Sequence, residues 1–474
     1  MTDFFSALPI LAVFISVLLV MLVVVAYPRF SYPLHLAAIG VFAALVLVVI
    51  SLLRYERETS EFFAFFVGDT FSKVTQGALL AATLVVLVIS REWSSVTKDR
   101  GHAYAILLLI SLVGAMALVM STHFLSFFIS LELLSIPVYA MIAYEIRQRR
   151  ALEAGLKYIL LAGFSVAILL FGAALIYAQT GSLQFEVLAE KTLDTLGFIG
   201  YALFFVGIAF KVGLVPFHMW LPDVYEGAPL PVTAFLATVS KGAVLFFLVR
   251  FLSLVGMDGI ADVVSIIAAL SVLSMFLGNI LALKQNNLKR LLAYSSIAQV
   301  GYIFIAILTS DSHAVLFYVC AYFVAVLCAL FVITLTSHFD IEKESIRSLD
   351  ALYFSQPRLA IALTVALLSF TGLPLTVGFL SKFFLLTSAA YAAQWSLAIS
   401  LIVSSAIGFY AYFKIILAMA TRSNLSMLPR ARTRPSFSEL TILVLTCLIL
   451  ALGVWPQPLD DVATAAALES SDPT

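Results

Sequence analysis

The sequence predicts an all-α polytopic membrane protein with about 14 transmembrane helices. Of its 474 residues, 62% are hydrophobic and only 11% are charged, and the mean hydropathy is +1.09. Soluble domains carry about 25% charged residues and about 45–50% apolar ones. This chain has too few charges to cover a water-facing surface and too much apolar surface for one buried core. The composition therefore excludes a soluble enzyme, a disordered chain and a nucleic-acid-binding protein.

The charged, cysteine and histidine residues predict no prosthetic group in this chain. Basic and acidic residues number 27 each, so no net charge attracts nucleic acid or an acidic partner. Cys320, Cys328 and Cys447 lie in apolar runs without a CxxC motif, which indicates neither a disulfide framework nor an iron–sulfur site. The histidine spacings indicate no metal site, and the sequence contains no P-loop or GxGxxG motif. We expect no metal, nucleotide or redox centre in this chain.

Apolar runs separated by charge, glycine and proline define the predicted spans, because a helix needs about 20 apolar residues to cross the hydrocarbon. The first run, from Phe4 to Tyr27, is longer than the apolar region of a signal peptide and is expected to remain as a helix. The division between the fourth and fifth spans rests on three residues, Ser121 to His123. The predicted spans are 4–27, 34–53, 72–90, 102–120, 122–144, 153–179, 196–216, 229–255, 260–283, 290–309, 313–338, 357–387, 396–420 and 437–455.

The distribution of lysine and arginine predicts the orientation of the chain. Loops that follow odd-numbered spans hold 17 of the 27 basic residues. Because Lys and Arg accumulate in cytoplasmic loops, both termini are predicted on the periplasmic side of a bacterial inner membrane. No predicted extramembrane segment is long enough to form a soluble catalytic domain.

Six ionisable residues remain inside the predicted spans after loop and edge positions are set aside. A charged side chain at a helix centre opposes insertion by about 2.5–3.5 kcal/mol, and such residues typically face a hydrated interior where they carry protons or ions. We therefore predict that these six side chains form a proton-transfer path. They are Glu132, Lys157, Lys211, Lys241, Lys382 and Lys414.

Some of these residues have a structural alternative. Lys157 lies one turn after Glu153, so an ion pair near the cytoplasmic edge also explains it. Lys414 is close enough to a span end for its ammonium to reach the membrane surface. Glu132 has the alternative role of a purely structural counter-ion. His218, in the PFHMW stretch beside a proline, is a further candidate for proton access.

Proline interrupts two spans, the seventh at Pro216 and the twelfth at Thr371–Pro374, and each carries a lysine within ten residues of the break. The two spans are five apart, and a unit with an odd number of spans must insert its next copy upside down. Spans 4–8 and 9–13 are therefore predicted to be inverted repeats, which are typical of ion-coupled transporters. The predicted units are a three-helix segment 1–100, repeats 101–255 and 256–421, and a last helix with a short outer tail, 422–474.

Four sequence stretches carry a family resemblance. They are Lys211–Lys241 (KVGLVPFHMWLPDVYEGAPLPVTAFLATVSK), FLSFFISLELLSIPVYAMIAY around Glu132, Leu288–Tyr302 (LKRLLAYSSIAQVGY) and Phe370–Phe383 (FTGLPLTVGFLSKF). Together they resemble the antiporter-like subunits of respiratory complex I, the proton-translocating NADH–quinone oxidoreductase. The DVYEGAP form at Asp223–Pro229 resembles the subunit N branch, the counterpart of mitochondrial subunit 2.

The resemblance implies the fold, the partners and the proton residues of this chain. It implies fourteen helices with two inverted five-helix repeats, in an obligate hetero-oligomer with other membrane-arm subunits. NADH, FMN, iron–sulfur clusters and quinone would be bound by those partners, and quinone reduction there would drive proton movement. The family's proton residues would be Glu132, Lys211, Lys241 and Lys382, with a further family lysine at Lys157. Lys414 is a candidate from repeat symmetry alone.

The resemblance also implies a mechanism in which Glu132 lies beside Lys211. A neighbouring cation favours an ionised carboxylate, whereas burial of an unpaired lysine favours its neutral form. The strength of the Glu132–Lys211 pair would then decide whether Lys241 and Lys382 hold protons. Two other functions fit the same helix pattern and lysines: a subunit of a multisubunit sodium/proton antiporter, and the membrane arm of a proton-pumping hydrogenase.

Overall fold

The structure, a computed structural model, describes residues 2–26, 31–54, 60–62, 65–94, 102–146, 148–189, 194–256, 261–337, 344–421 and 437–470. This part of the chain is helical apart from one short hairpin of strands β1 (Ser60–Phe62) and β2 (Phe66–Gly68). The helices are α1 (Thr2–Ala26), α2 (Ser31–Arg54), α3 (Thr70–Ser94), α4 (His102–Leu118), α5 (Phe124–Ile142), α6 (Arg149–Thr180), α7 (Phe185–Ala189), α8 (Thr195–Val212), α9 (Trp220–Gly227), α10 (Leu230–Phe235), α11 (Lys241–Val255), α12 (Ala261–Leu283), α13 (Leu288–Leu308), α14 (Ser312–Ser337), α15 (Leu352–Ser355), α16 (Pro357–Thr371), α17 (Val377–Tyr391), α18 (Trp395–Ala420), α19 (Phe437–Val454) and α20 (Gln457–Ser470).

These helices account for the fourteen predicted spans. Within the described ranges, 12 helical stretches are long and apolar enough to cross a membrane, and one of them joins α10 to α11 through a π-helical turn at Leu236–Ser240. The shorter apolar helix α4 is the fourth span, and α16 and α17 are the two halves of the twelfth. The predicted all-helical membrane fold is confirmed, including the division near Thr122, where α4 ends at Leu118 and α5 begins at Phe124.

The most buried spans lie at the centre of the molecule. In α10–α11, α13 and α14, 89% of the most apolar window is buried inside the protein, whereas the value is 28% in α1 and α2. An all-round apolar helix is typical of a buried position, and the central spans fit that description. Polar side chains at the buried positions of these three spans are therefore shielded from lipid and must find their partners within the protein.

One side of the molecule, called here the outer face, carries the β1–β2 hairpin, the α4–α5 turn and α20. The side chain of His123 begins α5 there by accepting a hydrogen bond from the N–H of Leu125 at 3.0 Å. Next to the hairpin, the guanidinium of Arg250 donates to both carboxylate oxygens of Asp69 at 2.7 and 3.0 Å. Burial alone raises the pKa of Asp69, but the charge and hydrogen bonds of Arg250 outweigh it and hold that pKa below its usual value.

The segment predicted as a short tail after Trp455 contains helix α20, which packs against α3 and α14. Its Ala463 and Ala466 are buried. His313 at the start of α14 makes a 2.9 Å contact from Nε2 to Asp460 Oδ1 of α20.

The opposite side, called the inner face, carries the α5–α6 and α12–α13 loops and the segment that begins at residue 344.

Candidate functional site

The seventh span breaks beside Lys211. Helix α8 ends at Gly213, which has a φ of +83°, and the Gly213 N–H donates to the carbonyls of Ala209 and Phe210. A left-handed residue after the last turn is the usual helix terminator, and glycine adopts it without steric strain. The chain then crosses the cis Val215–Pro216 bond before α9 begins. Lys211 therefore lies in the last turn of a helix that ends inside the protein.

The Lys211 ammonium binds hydroxyl groups of α5. It donates to Ser135 Oγ at 2.9 Å and to the Tyr139 hydroxyl at 3.3 Å. Glu132 is on the same face of α5, three residues before Ser135, and lies within electrostatic range of Lys211. Its Oε1 is buried and has no hydrogen-bond partner among the described residues. The expected direct contact between Glu132 and Lys211 is thus absent. The Lys211 ammonium binds α5 at Ser135 and Tyr139, one to two helical turns after Glu132.

Lys241 lies deeper in the molecule, at the point where the π-helical turn joins α11. Its ammonium donates to Ser296 Oγ of α13 at 2.6 Å and stands 5.6 Å from the ring centre of Tyr225. A π-helical turn inside a helix is a frequent feature of functional sites. The side chain of Lys241 is therefore held between α9 and α13.

The twelfth span breaks in the same way as the seventh. Helix α16 ends at Gly372, with a φ of +79° and N–H bonds to the carbonyls of Leu368 and Ser369. Lys382, on α17 after the break, donates to the carbonyl of Thr371 at 3.1 Å and to Ser405 Oγ at 3.0 Å. The matching geometry of the two breaks supports the predicted repeat.

Lys211, Lys241 and Lys382 share one type of environment. Their exposed fractions are 6%, 3% and 8%. Each ammonium binds the hydroxyl of a serine and lies within 6 Å of a tyrosine ring centre, a distance typical of cation–π contacts. In the part of the chain that the structure describes, none of the three forms an ion pair with a carboxylate. They are buried amines held by neutral groups.

Helix α13 carries a polar stripe that connects Lys241 to Lys382. Ser296, which binds Lys241, is followed three residues later by Gln299, which accepts a hydrogen bond from Tyr318. Three residues further, the Tyr302 hydroxyl bonds to Asn279 at 2.7 Å, and its ring lies 4.9 Å from the Lys382 ammonium. Sequence reasoning missed this stripe, although polar residues at a spacing of three in an apolar helix were the available signal.

Several buried polar atoms along this line have no protein partner among the described residues. They are Glu132 Oε1, His218 Nδ1 and the hydroxyl groups of Tyr225 and Tyr322. Buried polar groups in folded proteins are almost always hydrogen-bonded, and ordered water completes the set where protein groups do not. An ordered water molecule at each of these four atoms would complete its hydrogen bonding. His218 belongs to this set through its position next to the α8–α9 break.

Two of the predicted residues lie apart from the buried lysines, at the inner face. Lys157 forms ion pairs with Glu153 at 2.8 Å and Asp223 at 3.0 Å, and its side chain is 44% exposed. Lys414 donates to the side chain of Asn286 at 3.1 Å in the α12–α13 loop. Both arrangements correspond to the structural alternatives given for these residues. The described residues contain no group of three or more His, Cys, Asp or Glu side chains that could hold a metal ion.

Comparison with known proteins identifies the family. A model of the family described as NADH:quinone oxidoreductase/Mrp antiporter, TM matches residues 121–408, which include both helix breaks and all three buried lysines. The chain belongs to this family. It is 35% identical to the NADH-quinone oxidoreductase subunit N of Acinetobacter baumannii, with 98% of this chain and 95% of the relative covered. The protein of the same name from Methylococcus capsulatus is 39% identical, with 83% and 82% covered.

Three solved structures share the fold. A chain of respiratory complex I from Thermus thermophilus with bound Aureothin matches with a TM-score of 0.83 and 30% identity, covering 96% of this chain and 99% of that one. A chain of the membrane-bound sulfane sulfur reductase, an archaeal respiratory membrane complex, gives 0.89 and 24%, covering 98% of each. A chain of the Mrp complex from Dietzia sp. gives 0.85 and 20%, covering 99% and 98%. The predicted family membership is confirmed.

Proposed function

We propose that this chain is the proton-translocating subunit N of a bacterial NADH:quinone oxidoreductase. Two relatives named NADH-quinone oxidoreductase subunit N are 35% and 39% identical to it. A chain of respiratory complex I matches it over nearly the full length of both chains. The chain then works as one subunit of an obligate hetero-oligomer in the bacterial inner membrane. NADH, FMN, the iron–sulfur clusters and quinone are bound by its partner subunits, and quinone reduction there supplies the free energy.

The three buried lysines carry the proposal that this chain moves protons. A buried ammonium without a counter-ion is unfavourable, so such an amine exchanges its proton readily with a neighbouring acceptor. Lys211, Lys241 and Lys382 all have this character, and the polar stripe of α13 lies between the last two. A structural role does not account for three such amines in one protein, because an apolar residue at each position would favour membrane insertion.

Proton transfer follows the order of these lysines. Glu132 attracts the positive charge to Lys211, and a weaker attraction lets the proton move towards Lys241. From Lys241 it passes along Ser296, Gln299 and Tyr302, with water at the unpaired hydroxyls, to Lys382. Because the Glu132 carboxylate does not touch the ammonium, small shifts of α5 change the attraction without breaking a direct ion pair. Lys157 and Lys414 contribute at the inner face only.

The experiment is proton pumping by the assembled complex in membrane vesicles. We expect Lys241→Ala to reduce the protons taken up per NADH oxidised, and Glu132→Ala to do the same. Lys284→Ala, at an inner-face loop lysine, is the matched control and is expected to keep the wild-type ratio. Reduction of a water-soluble acceptor by NADH stays unchanged in all three, because electrons leave before the membrane arm. Full pumping in both relay variants would refute the relay.

Purification of the complex tests the membership in complex I itself. The detergent-extracted assembly is expected to contain flavin and iron–sulfur absorbance, which a sodium/proton antiporter lacks. Hydrogen evolution by the assembly would instead identify the hydrogenase alternative. A reporter enzyme that is active only in the periplasm, fused after the last residue, tests the proposed outer position of the C-terminus and should be active.

A further inference from the structure

A second buried lysine–carboxylate pair lies outside the line of the relay, at the inner face. Lys289, in the first turn of α13, donates to Glu344 Oε1 at 2.8 Å, and the two side chains are only 4% and 7% exposed. The other carboxylate oxygen, Glu344 Oε2, is buried and has no hydrogen-bond partner among the described residues. An ionised carboxylate that leaves one oxygen unpaired in the interior is unfavourable, and protonating that oxygen or hydrating it relieves the cost.

Three inner-face segments meet at this pair. Lys289 also donates to the carbonyl of Ala228, at the joint between α9 and α10, at 3.0 Å. Residue 345 pairs with Asn287 of the α12–α13 loop, which brings Glu344 over the start of α13. The groups that face Glu344 are thus the ammonium of Lys289 on α13, the side chain of Asn287 in the loop and the carboxylate of Glu226 on α9.

These neighbours and the burial favour a proton on Glu344. Burial raises the pKa of Glu344 and the negative charge of Glu226 adds to that rise, while Lys289 and Asn287 oppose it without cancelling it. The carboxyl group therefore takes up a proton at a higher pH than an exposed glutamate does. Lys289 holds the carboxyl group in place and also donates to the carbonyl of Ala228.

On its outward side, the pair adjoins an open charged cleft. This cleft has a volume of about 210 Å³ and is lined by charged groups that include Lys157, Asp223 and Glu226. Arg290 links Asp223 and Glu226 at 2.7 and 2.9 Å. Glu226 lines the open cleft and also faces Glu344. Acidic side chains therefore lie both in the cleft and at the buried pair. Chains of exposed acidic and basic groups of this kind exchange protons with bulk water.

On its membrane side, the pair lies on the same helix, α13, as the residue that binds Lys241. Lys289 and Ser296 are seven residues apart on α13, which is two turns or about 10 Å along the helix axis. Ser296 accepts the hydrogen bond from Lys241. The hydroxyls of Tyr225 and Tyr322 lie near Ser296 in the same region. About two turns of α13 therefore separate the Lys289–Glu344 pair from the residue that binds Lys241.

We propose that Glu344, held by Lys289, is a site at which protons from the inner face enter the relay at Lys241. A proton from the cleft binds Glu344 Oε2, and water molecules then carry it to the neutral amine of Lys241, which leaves the carboxylate ready for the next proton. Lys289 is a positioning residue that keeps the carboxyl group at the joint of α9 and α10. This inference rests on the proposed function, because it requires Lys241 to accept protons.

The test compares Glu344→Gln with Glu344→Asp in the assembled complex. Glutamine still accepts the hydrogen bond from Lys289 but cannot carry a proton. If Glu344 had only a structural role, the Glu344→Gln variant would therefore stay active. We expect Glu344→Gln to lower proton uptake from the inner side several-fold and to flatten its decline with rising pH, and Glu344→Asp to restore most of the rate. Glu439→Gln is the matched control, because Glu439 is ion-paired with Arg358 away from this path, and it should keep the wild-type profile.

Two outcomes separate this inference from the function it rests on. Wild-type pumping in Lys241→Ala would refute the relay itself. A loss in Lys241→Ala together with a wild-type pH profile in Glu344→Gln would overturn the entry site alone. If Glu344→Gln does not assemble, infrared spectra of Glu344→Asp decide: a shifted carboxyl band that titrates above the usual range supports the site, and an unchanged band overturns it.

Discussion

A single methyl group at Gly372 should uncouple Lys382 from the rest of the relay. Gly372 has a φ of +79° at the end of α16, and an added Cβ would stand 2.8 Å from Cδ of Lys382. Carbon atoms do not approach that closely, so the lysine side chain must move away. This movement strains the hydrogen bonds of its ammonium to the carbonyl of Thr371 and the hydroxyl of Ser405.

The magnitude follows from these two contributions. A left-handed conformation costs a residue other than glycine about 1–2 kcal/mol. A hydrogen bond from a charged group contributes about 1.5–3 kcal/mol, so the loss of both bonds of Lys382 adds about 3–6 kcal/mol. At about 1.4 kcal/mol for each factor of ten, loss of one bond makes the native position of Lys382 about tenfold less populated, and loss of both makes it at least about 100-fold less populated.

Gly213→Ala is the matched control, because Gly213 ends α8 with nearly the same backbone conformation. There the added Cβ would meet Leu221 Cδ2 at 3.3 Å and Lys241 Nζ at 3.9 Å, distances that a small shift of a leucine methyl accommodates. Gly213→Ala therefore carries the backbone strain of about 1–2 kcal/mol without displacing a lysine. The difference between the two variants isolates the position of Lys382.

The assay is the number of protons taken up per NADH oxidised in vesicles, measured at equal amounts of assembled complex. We expect both alanine variants to lower the thermal stability of the complex slightly, and only Gly372→Ala to lose most of the pumping that depends on this subunit. If the two variants assemble and pump equally, the assignment of Lys382 to the relay is wrong.

Three further predictions concern the polar stripe and the outer ion pair. Gln299→Leu removes the hydrogen-bond acceptor of Tyr318 and should lower the number of protons taken up per NADH oxidised. A wild-type number would exclude the polar stripe of α13 from the proton path. Ser296→Ala removes the hydroxyl that binds Lys241 and should reduce the same ratio, while acceptor reduction by NADH stays normal. Asp69→Asn leaves Arg250 buried without its partner and should lower stability by about 3–5 kcal/mol in thermal unfolding, and no change would contradict the pair.

The Asp69 pair also predicts the acid sensitivity of the outer face. The folded-state pKa of Asp69 lies below its usual value, so its contribution to stability is complete above about pH 4 and is lost as the pH falls through the folded-state pKa. Asp69→Asn should remove this part of the acid dependence, measured as the midpoint of thermal unfolding against pH. An unchanged acid profile would show that the pKa of Asp69 does not differ between the folded and unfolded states.

The number and limits of the spans were predictable from the sequence, because crossing a membrane is a property of each segment by itself. A run of about 20 apolar residues lowers its free energy in lipid wherever its neighbours lie. The same reasoning found Lys211, Lys241 and Lys382, since a charge in the middle of such a run is unfavourable in any fold. The glycines and prolines of the two breaks are equally local signals.

The partners of these residues were decided by the tertiary structure alone. Ser296 and Gln299 are inexpensive to bury in a membrane helix, so they give no warning signal until α13 places them between two lysines. Lys289 lies in a predicted loop. In the structure it is buried between Glu344 and the carbonyl of Ala228, both of which are far from it in the chain.

The sequence by itself thus determined which segments enter the membrane and which of their charges require a polar interior. Packing decided which groups those charges meet, because a helix face gains its neighbours from segments far away in the chain. Lys211 contacts Ser135 rather than Glu132 for this reason. Which residue of α5 it meets depends on how far α5 and α8 are shifted along their axes relative to each other, and no local sequence pattern predicts that shift.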